Sequence, residues 1–267
     1  TPLQRIRKAS TDVIADLSFG GRICVMKILG IVTARGGSKR VPRKNIKDFC
    51  GKPLLVWTAE AGIASGVLVR FVLSTDDAEI AEVGKKAGLE VPFIRPAELA
   101  NDTAGSYGVV KHAIEWLRDN EQYETSWIIL LEPSSPGRQS FHIKEVAELI
   151  TNPVVNFDSL LGIAKMPGHY SHLKEMQRDE KGIVTRVGDG AIVRNLIHRN
   201  QDIPTTYYFN SAIYAFKTKN LFDGNNSLWG DSSYGYLMDE KYSMDIDTSE
   251  DWIIAEAKMK MLLSEKE

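Results

Sequence analysis

A short run without a polar side chain, Ile28-Leu29-Gly30-Ile31-Val32, passes directly into Thr33-Ala34-Arg35-Gly36-Gly37-Ser38-Lys39-Arg40. No other stretch restricts the fold as tightly. Apolar residues with no polar alternation predict a strand covered on both faces, the situation of parallel sheets sandwiched between helices. The glycines then let the backbone turn and bring N–H groups close to a ligand. Arg35, Lys39, Arg40, Arg43 and Lys44 add five cations within ten residues. A loop of this make-up at a strand end suits a polyphosphate, with amides for the oxygens and ammonium and guanidinium groups for the charge. Most charge runs are only solvated loops. Attachment to a buried strand and interruption by Gly36-Gly37-Ser38 favour the phosphate site. Neither the Walker pattern nor the dinucleotide fingerprint is present.

The remaining chain alternates strand and helix. Pro53 opens an apolar-periodic helix that stops near Gly66. Residues 67–77 predict a second buried strand ending in Ser74-Thr75-Asp76-Asp77, and 78–88 a helix with a glycine stop. Val91–Pro96 reads as a short edge strand, because prolines exclude a central one. Residues 101–106 form a turn and cap before a helix over 107–120, and Asp76-Asp77 alone would serve as a helix cap. Trp127–Glu132 predicts a third buried strand, 142–151 a helix, and 160–165 another strand. The pattern argues a doubly wound, mostly parallel α/β sheet, with ligands outside the carboxyl ends of the strands. Residues 160–215 predict hairpins projecting from it, 207–216 an aromatic β segment, 243–248 a strand, and Ser249 a cap for a last helix.

Composition bounds the partners. The chain has 267 residues, 43% hydrophobic, enough for one sizeable α/β domain over 26–267. A formal net charge of −2 points to neither nucleic acid nor a membrane surface. No apolar run reaches membrane-spanning length. The two cysteines, Cys24 and Cys50, allow at most one bridge and fit a reducing cytoplasm. Residues 1–25 are weakly patterned and precede Met26, a possible natural start. They read as an upstream extension, or else as a targeting segment without a true apolar region, and carry no assigned function. His169 and His172 are loop histidines with no third ligand spaced for zinc.

A second constellation lies near the end, Asp245-Ile246-Asp247. In a strand, residues two apart share a face, so the carboxylates converge while Ile246 enters the core. Paired carboxylates suit Mg²⁺, which takes a few acids together with water and phosphate oxygens. Alone the pair is equally a solvated strand end or a helix cap. Beside a polyphosphate loop it gains weight, since a triphosphate needs cations and a metal to spread its charge.

Five ordered motifs resemble those of the acylneuraminate cytidylyltransferases, which activate sialic acid and related nine-carbon acid sugars. They are A-R-G-G-S-K-x-x-P-x-K-N followed by G-K-P-L, the segment over 72–106, L-L-E-P-S-S-P-G-R at 130–138, Y-Y-F-N-S-A-I-Y at 207–214, and S-x-D-I-D-T at 243–248. The likeness runs from about 27 to about 261. It implies that Arg35, Lys39 and Lys44 hold the triphosphate, with Gly36, Gly37 and Ser38 in the same loop and Asn45 positioning the nucleotide. Arg95 and Ser106 would read cytosine, and Asp245 and Asp247 would hold Mg²⁺. Glu132, Lys174, Tyr208, Phe209 and Asn210 would meet the sugar, although by themselves Tyr208 and Phe209 read as core or dimer-contact residues rather than ligands unless the family geometry holds, and Arg95 and Ser106 equally as an ordinary loop Arg and a helix-start Ser. Departures cluster at the acceptor side. Glu132 stands for Gln, Gly105 for Ser, Arg40 and Ser211 for Gly, and Asn200 for Arg. The implied reaction joins CTP to a 2-keto acid sugar, giving CMP-sugar and pyrophosphate, with Asp247 or metal-bound water as candidate base. A homodimer would form through the hairpins around 166–210. Activation of the eight-carbon acid Kdo, a catalytically silent nucleotide-binding protein on this fold, and a plain structural dimer remain the alternatives.

Overall fold

The computed structural model describes residues 27–101, 105–196 and 199–265. The extension over 1–25 lies outside the described residues, as do Cys24 and part of the turn expected over 101–106. Ten strands and five α-helices are seen among the described residues. β1 (Ile28–Thr33), β4 (Arg70–Ser74) and β5 (Trp127–Leu130) pair in parallel, with β1 central. β6 (Ser159–Lys165) and β10 (Ser233–Leu237) form a second parallel pair. β9 (Tyr207–Lys217) joins the halves, antiparallel to both β5 and β6, so the sheet order is β10-β6-β9-β5-β1-β4. Small two-stranded hairpins are made by β2 (Asp48–Phe49) with β3 (Lys52–Pro53), and by β7 (Met176–Arg178) with β8 (Val184–Arg186). The fold is α/β and mostly parallel, as the alternation predicts.

Helices cover both faces. α1 (Leu54–Ser65), α2 (Ala78–Lys86) and α4 (Ser140–Thr151) pack with β1 and β9 residues in one apolar cluster. α3 (Ser106–Glu121) closes the other face through Val110, Ala113 and Leu117 against Leu29, Ile31 and Ile128. α1 ends as expected, with Gly66 in the left-handed region at φ 68°. α2 is capped by Asp77, whose Oδ1 accepts from the N–H groups of Glu79 and Ile80 at 2.9 Å each.

Four expectations are corrected. Val91–Pro96 is not a strand; only the preceding Glu90 bridges to Val72, and the prolines keep the remainder out of the ladder. Residues 243–248 are not a strand either. Their backbone runs as a loop whose Ile246 N–H donates to the Ser134 carbonyl at 3.0 Å. The last helix, α5 (Ser249–Ser264), is capped by Thr248 in a capping box with Asp251, rather than by Ser249. The strands at both ends of the expected projection over 160–215 belong to the main sheet, and what projects is the arm between them, residues 166–206, which carries β7 and β8.

α1 approaches β4 through Gly62, where an added Cβ would lie 2.2 Å from Phe71 Cε1. Phe71 is itself in the core, so the clash has no solvent-side relief. Gly62→Val is expected to cost roughly 2–3 kcal/mol of stability and to lower the thermal midpoint by about 5 °C or more. A melt superimposable on that of the parent would show that α1 is not held by this contact.

Candidate active site

The carboxyl ends of β1, β4 and β5 open on a cleft of about 680 Å³. Its walls include Arg35, Ser38, Lys39, Arg40, Lys44 and Asn45 from the basic loop, Arg95 and Ser106 from the segment after β4, and Glu132, Ser134 and Asp247. The two ends of the chain meet here. Lys44 Nζ donates to the Ile246 carbonyl at 2.5 Å and stands 3.6 Å from Asp247 Oδ1. Arg40 lies 3.8 Å from the other Asp247 oxygen. Below them Val41, Phe49 and Leu54 pack with Met244, Ile246 and Trp252 in a separate apolar cluster. Burial of these side chains ties the basic loop to the acidic segment independently of the ion pairs.

The loop is positioned by its own polar groups. Buried Asn45 donates to the Arg35 carbonyl at 3.0 Å. Asp76 Oδ1 accepts from the Gly36 N–H at 3.1 Å and from Arg95 at 3.2 Å. The Gly36 amide is therefore engaged by protein, and a Cβ at Gly36 would sit 2.7 Å from Asp77 Oδ2. Close approach is what requires glycine there. Gly37 has open space around its Cα. Arg43, counted among the five cations, leaves the cleft to pair with Asp77 and Glu79. The Arg43 hydrogen bond is the main cause that holds the Asp77 carboxyl below its ordinary value.

Arg95 and Ser106 both reach the cleft although eleven positions apart in the chain. Arg95 is 4% exposed, and burial lowers its guanidinium from the ordinary value against the pull of Asp76. Its Nε has no hydrogen-bond partner among the described residues. A buried guanidinium with an open donor is suited to a carbonyl or ring nitrogen of a flat ligand.

Of the acids, Glu132 and Asp247 line the cleft, Asp247 directly beside Lys44 and Arg40, and Asp245 is not among the lining residues. Asp245 is open to solvent on one side, yet protein crowds the other. Desolvation raises its carboxyl, Asp247 adds to the rise, and hydrogen bonds from Ser211 and Ser134 and the charge of Lys44 oppose it. Among the described residues no three acidic, His or Cys side chains group around one ion. Asp247 lines the cleft and Asp245 stands two residues before it, outside the lining; a pair of carboxylates beside a phosphate-sized cleft fits Mg²⁺, which completes its shell with water and phosphate oxygens rather than with a protein cage. Half-buried Glu132 is pushed up to about 7, first by desolvation and then by Asp245, while Lys44 and Arg138 pull the other way.

The expected sugar contacts are dispersed. Asn210 is buried and structural, donating to Ser243 Oγ at 3.1 Å and accepting from the Ala212 N–H at 3.2 Å. Phe209 is 71% exposed and Tyr208 half-buried on β9, while Lys174 sits in a short 3₁₀ turn of the arm, and none of the three lines the cleft. Sequence reasoning placed the Asp76 strand end on the ligand side without giving Asp76 a role, and it missed Ser134 in the cleft and Arg138 and Ser211 behind it. Ser211 adopts φ 56°, and residues 210–213 stand opposite Gly162 alone in the β6–β9 register. This bulge turns Ser211 toward Asp245. Its one legible sign was a serine at a position where glycine is common in the resembled family.

The cytidylyltransferase family profile matches residues 29–264. An N-acylneuraminate cytidylyltransferase of Streptococcus agalactiae serotype III is 32% identical over 231 residues, covering 85% of this chain and 52% of the relative. The chain thus spans about half the length of that relative. A pseudaminic acid cytidylyltransferase of Campylobacter jejuni is 32% identical over 226 residues, covering 85% of this chain and 93% of the relative. Among solved structures, CMP:2-keto-3-deoxy-manno-octonic acid synthetase complexed with CTP superposes with a TM-score of 0.63 at 14% identity, over 88% of this chain and 99% of the other. That likeness supports the fold.

Glu132 carries a stability signature of its own. Folding raises its carboxyl from the ordinary 4.5 to about 7, so between those values the folded chain keeps a proton that the unfolded chain has released. The favourable contribution is complete below the lower value and lost as pH rises through the upper one. Glu132→Gln should therefore gain about 1–3 kcal/mol relative to the parent at pH 8 and little at pH 5, read from urea midpoints. Equal differences at the two pH values would contradict the shift.

Proposed function

This chain belongs to the cytidylyltransferase family, and on that premise we propose that it joins CTP to a 2-keto acid sugar of the sialic or related nonulosonic type. The observation that carries the reading is Lys44 bonded to the Ile246 carbonyl beside Asp247. One cleft thereby sets cations for a triphosphate beside an acid for a metal. The sugar hydroxyl attacks the α-phosphorus, the bond from that phosphorus to the β-phosphate bridging oxygen breaks, and pyrophosphate leaves. Arg35, Lys39 and Lys44 hold the β- and γ-phosphates and the charge that gathers on them, with Ser38 and the Gly37 N–H as further donors. Asn45 keeps the Arg35 backbone in place. Arg95 and Ser106 receive the cytosine edge. Asp245 and Asp247 would hold Mg²⁺, which when bound neutralises charge on the α-phosphate and the leaving group. The chain's contribution is mostly positioning and electrostatic stabilisation.

Lys174, Tyr208 and Phe209 do not line the cleft of one copy. In this reading they meet the acid sugar in a homodimer. The arm supports that idea, since Ile183, Val187, Ile192 and Val193 are all exposed on it. A cytoplasmic location belongs to the same proposal and rests on cysteine usage. No helix among the described residues is long and apolar enough to cross a membrane.

A pyrophosphate-release assay with each of the four nucleoside triphosphates against a panel of nonulosonic acids and Kdo tests the reaction. Release is expected with CTP and a nine-carbon acid, and not with UTP or GTP. Turnover with UTP or GTP in place of CTP overturns the base assignment, and acceptance of Kdo alone moves the reading to the eight-carbon branch. In the same assay EDTA should stop the reaction, and Asp245→Ala should slow it by about 10³-fold with an unchanged melting midpoint. Undiminished turnover in that variant removes the metal from the scheme.

A further inference from the structure

Glu132 and Asp247 line the cleft, Asp245 stands two residues before Asp247, and both aspartates are engaged. Asp247 lies between Lys44 at 3.6 Å and Arg40 at 3.8 Å. Asp245 takes the hydroxyls of Ser211 and Ser134. The carboxyl of Glu132 has no hydrogen-bond donor among the described residues, although its main chain is held firmly. The Glu132 carbonyl accepts from both terminal nitrogens of Arg138 at 3.4 Å. Arg138 is 2% exposed and is anchored in turn by Thr58 Oγ1 at 2.7 Å and by the Ala212 carbonyl. A rigidly placed backbone thus presents an unoccupied carboxyl to the interior of the cleft, close enough to feel both aspartates. It is not a third ligand for one ion, since no such acidic trio exists among the described residues.

We propose that Glu132 is the general base that takes the proton from the attacking hydroxyl of the acid sugar, an inference that rests on the cytidylyltransfer reading above. As the hydroxyl oxygen forms its bond to the α-phosphorus, its proton passes to a Glu132 oxygen. The bond to the pyrophosphate bridging oxygen breaks with its electron pair, and Glu132 returns the proton to solvent after CMP-sugar leaves. No further reactant is needed.

The surroundings tune the group for this work. Burial is the largest influence on its proton affinity; Asp245 and Asp247 on the C-terminal segment strengthen it, and Lys44 from the basic loop and Arg138 behind it weaken it. Tyr214 on β9 faces it as a neutral phenol whose own ionisation is disfavoured. A carboxyl with a midpoint near neutrality is an efficient proton acceptor at neutral pH.

The test compares parent, Glu132→Gln and Glu132→Ala in CTP- and acid-sugar-dependent pyrophosphate release between pH 5 and 9. Glu132→Gln should lower kcat by about 10²-fold or more, leave KM for CTP within about twofold, and lose the acidic limb of the parent pH profile. Formate should restore part of the rate of Glu132→Ala and none of that of Glu132→Gln, where the amide fills the space. Melting curves for both variants establish that they are folded. A Glu132→Gln enzyme with parental kcat, or one slowed but keeping the same acidic limb, overturns the assignment while leaving the reaction intact. A parent enzyme that releases no pyrophosphate with any acid sugar fails at the earlier step, because the reaction itself is then absent.

Discussion

Ile246 fastens the two halves of the cleft to each other. Its side chain is fully buried, its N–H reaches the Ser134 carbonyl, and its own carbonyl receives the Lys44 ammonium. One residue thus joins the loop after β1, the loop after β5 and the segment before α5. Its neighbours Asp245 and Asp247 have little choice of position, because the residue between them is fixed on three sides. Burying an isoleucine is favourable by about 1.5–3 kcal/mol, and satisfying both backbone groups avoids a comparable penalty. Neither acid would be held so well by its own contacts, since Asp247 is largely solvated and exposed ion pairs contribute little.

The same logic governs the buried cations. Arg95 and Arg138 are almost without solvent contact, a costly state for a guanidinium unless donors are matched. Arg138 meets carbonyls and a hydroxyl rather than a carboxylate, and burial lowers its guanidinium to about 9. Arg95 meets Asp76, which also holds the Gly36 amide. Each arginine therefore acts as a bracket: Arg138 sets the backbone under Glu132, and Arg95 sets the distance between the basic loop and the cleft wall. Their charge adds to the loop's field without requiring a flexible surface side chain to be ordered on binding, which preserves affinity.

Local chemistry was legible where one rule decided the outcome. The β1 run, the Gly66 stop and the capping of α2 by Asp77 each follow from a single property of the residues concerned. The convergence of the basic loop and the Asp245–Asp247 pair was legible only as a combination, and packing of Val41 and Phe49 on Ile246 and Trp252 brings it about. The misreadings lie where local pattern does not decide the partner. Residues 243–248 alternate like a strand, yet their partner is a single carbonyl in another loop, and alternation cannot distinguish a laddered strand from a pinned extended loop. β10 escaped notice because Tyr234, Gly235 and Tyr236 carry a weak pattern, and its pairing with β6 is set by tertiary contact. The antiparallel course of β9 was equally hidden, since composition does not encode direction.

The bulge in β9 connects the projecting arm to the chemistry. A Cβ on Gly162 would come within 2.4 Å of Asn210 Oδ1, so β6 can tolerate the four-residue excursion opposite it only with glycine there. Asn210, buried and bonded to Ser243 and Ala212, then holds the bulge shut. Ser211 is left in a left-handed conformation that costs a non-glycine residue about 1–2 kcal/mol. Its compensation is the placement of its hydroxyl on Asp245 and of its carbonyl on Ser135 at 3.0 Å. Residues 207–209 lead straight from the arm into this bulge, with no loop between them to absorb a displacement. Tyr208 and Phe209 therefore stand on the same strand as the bulge that places Ser211 beside Asp245.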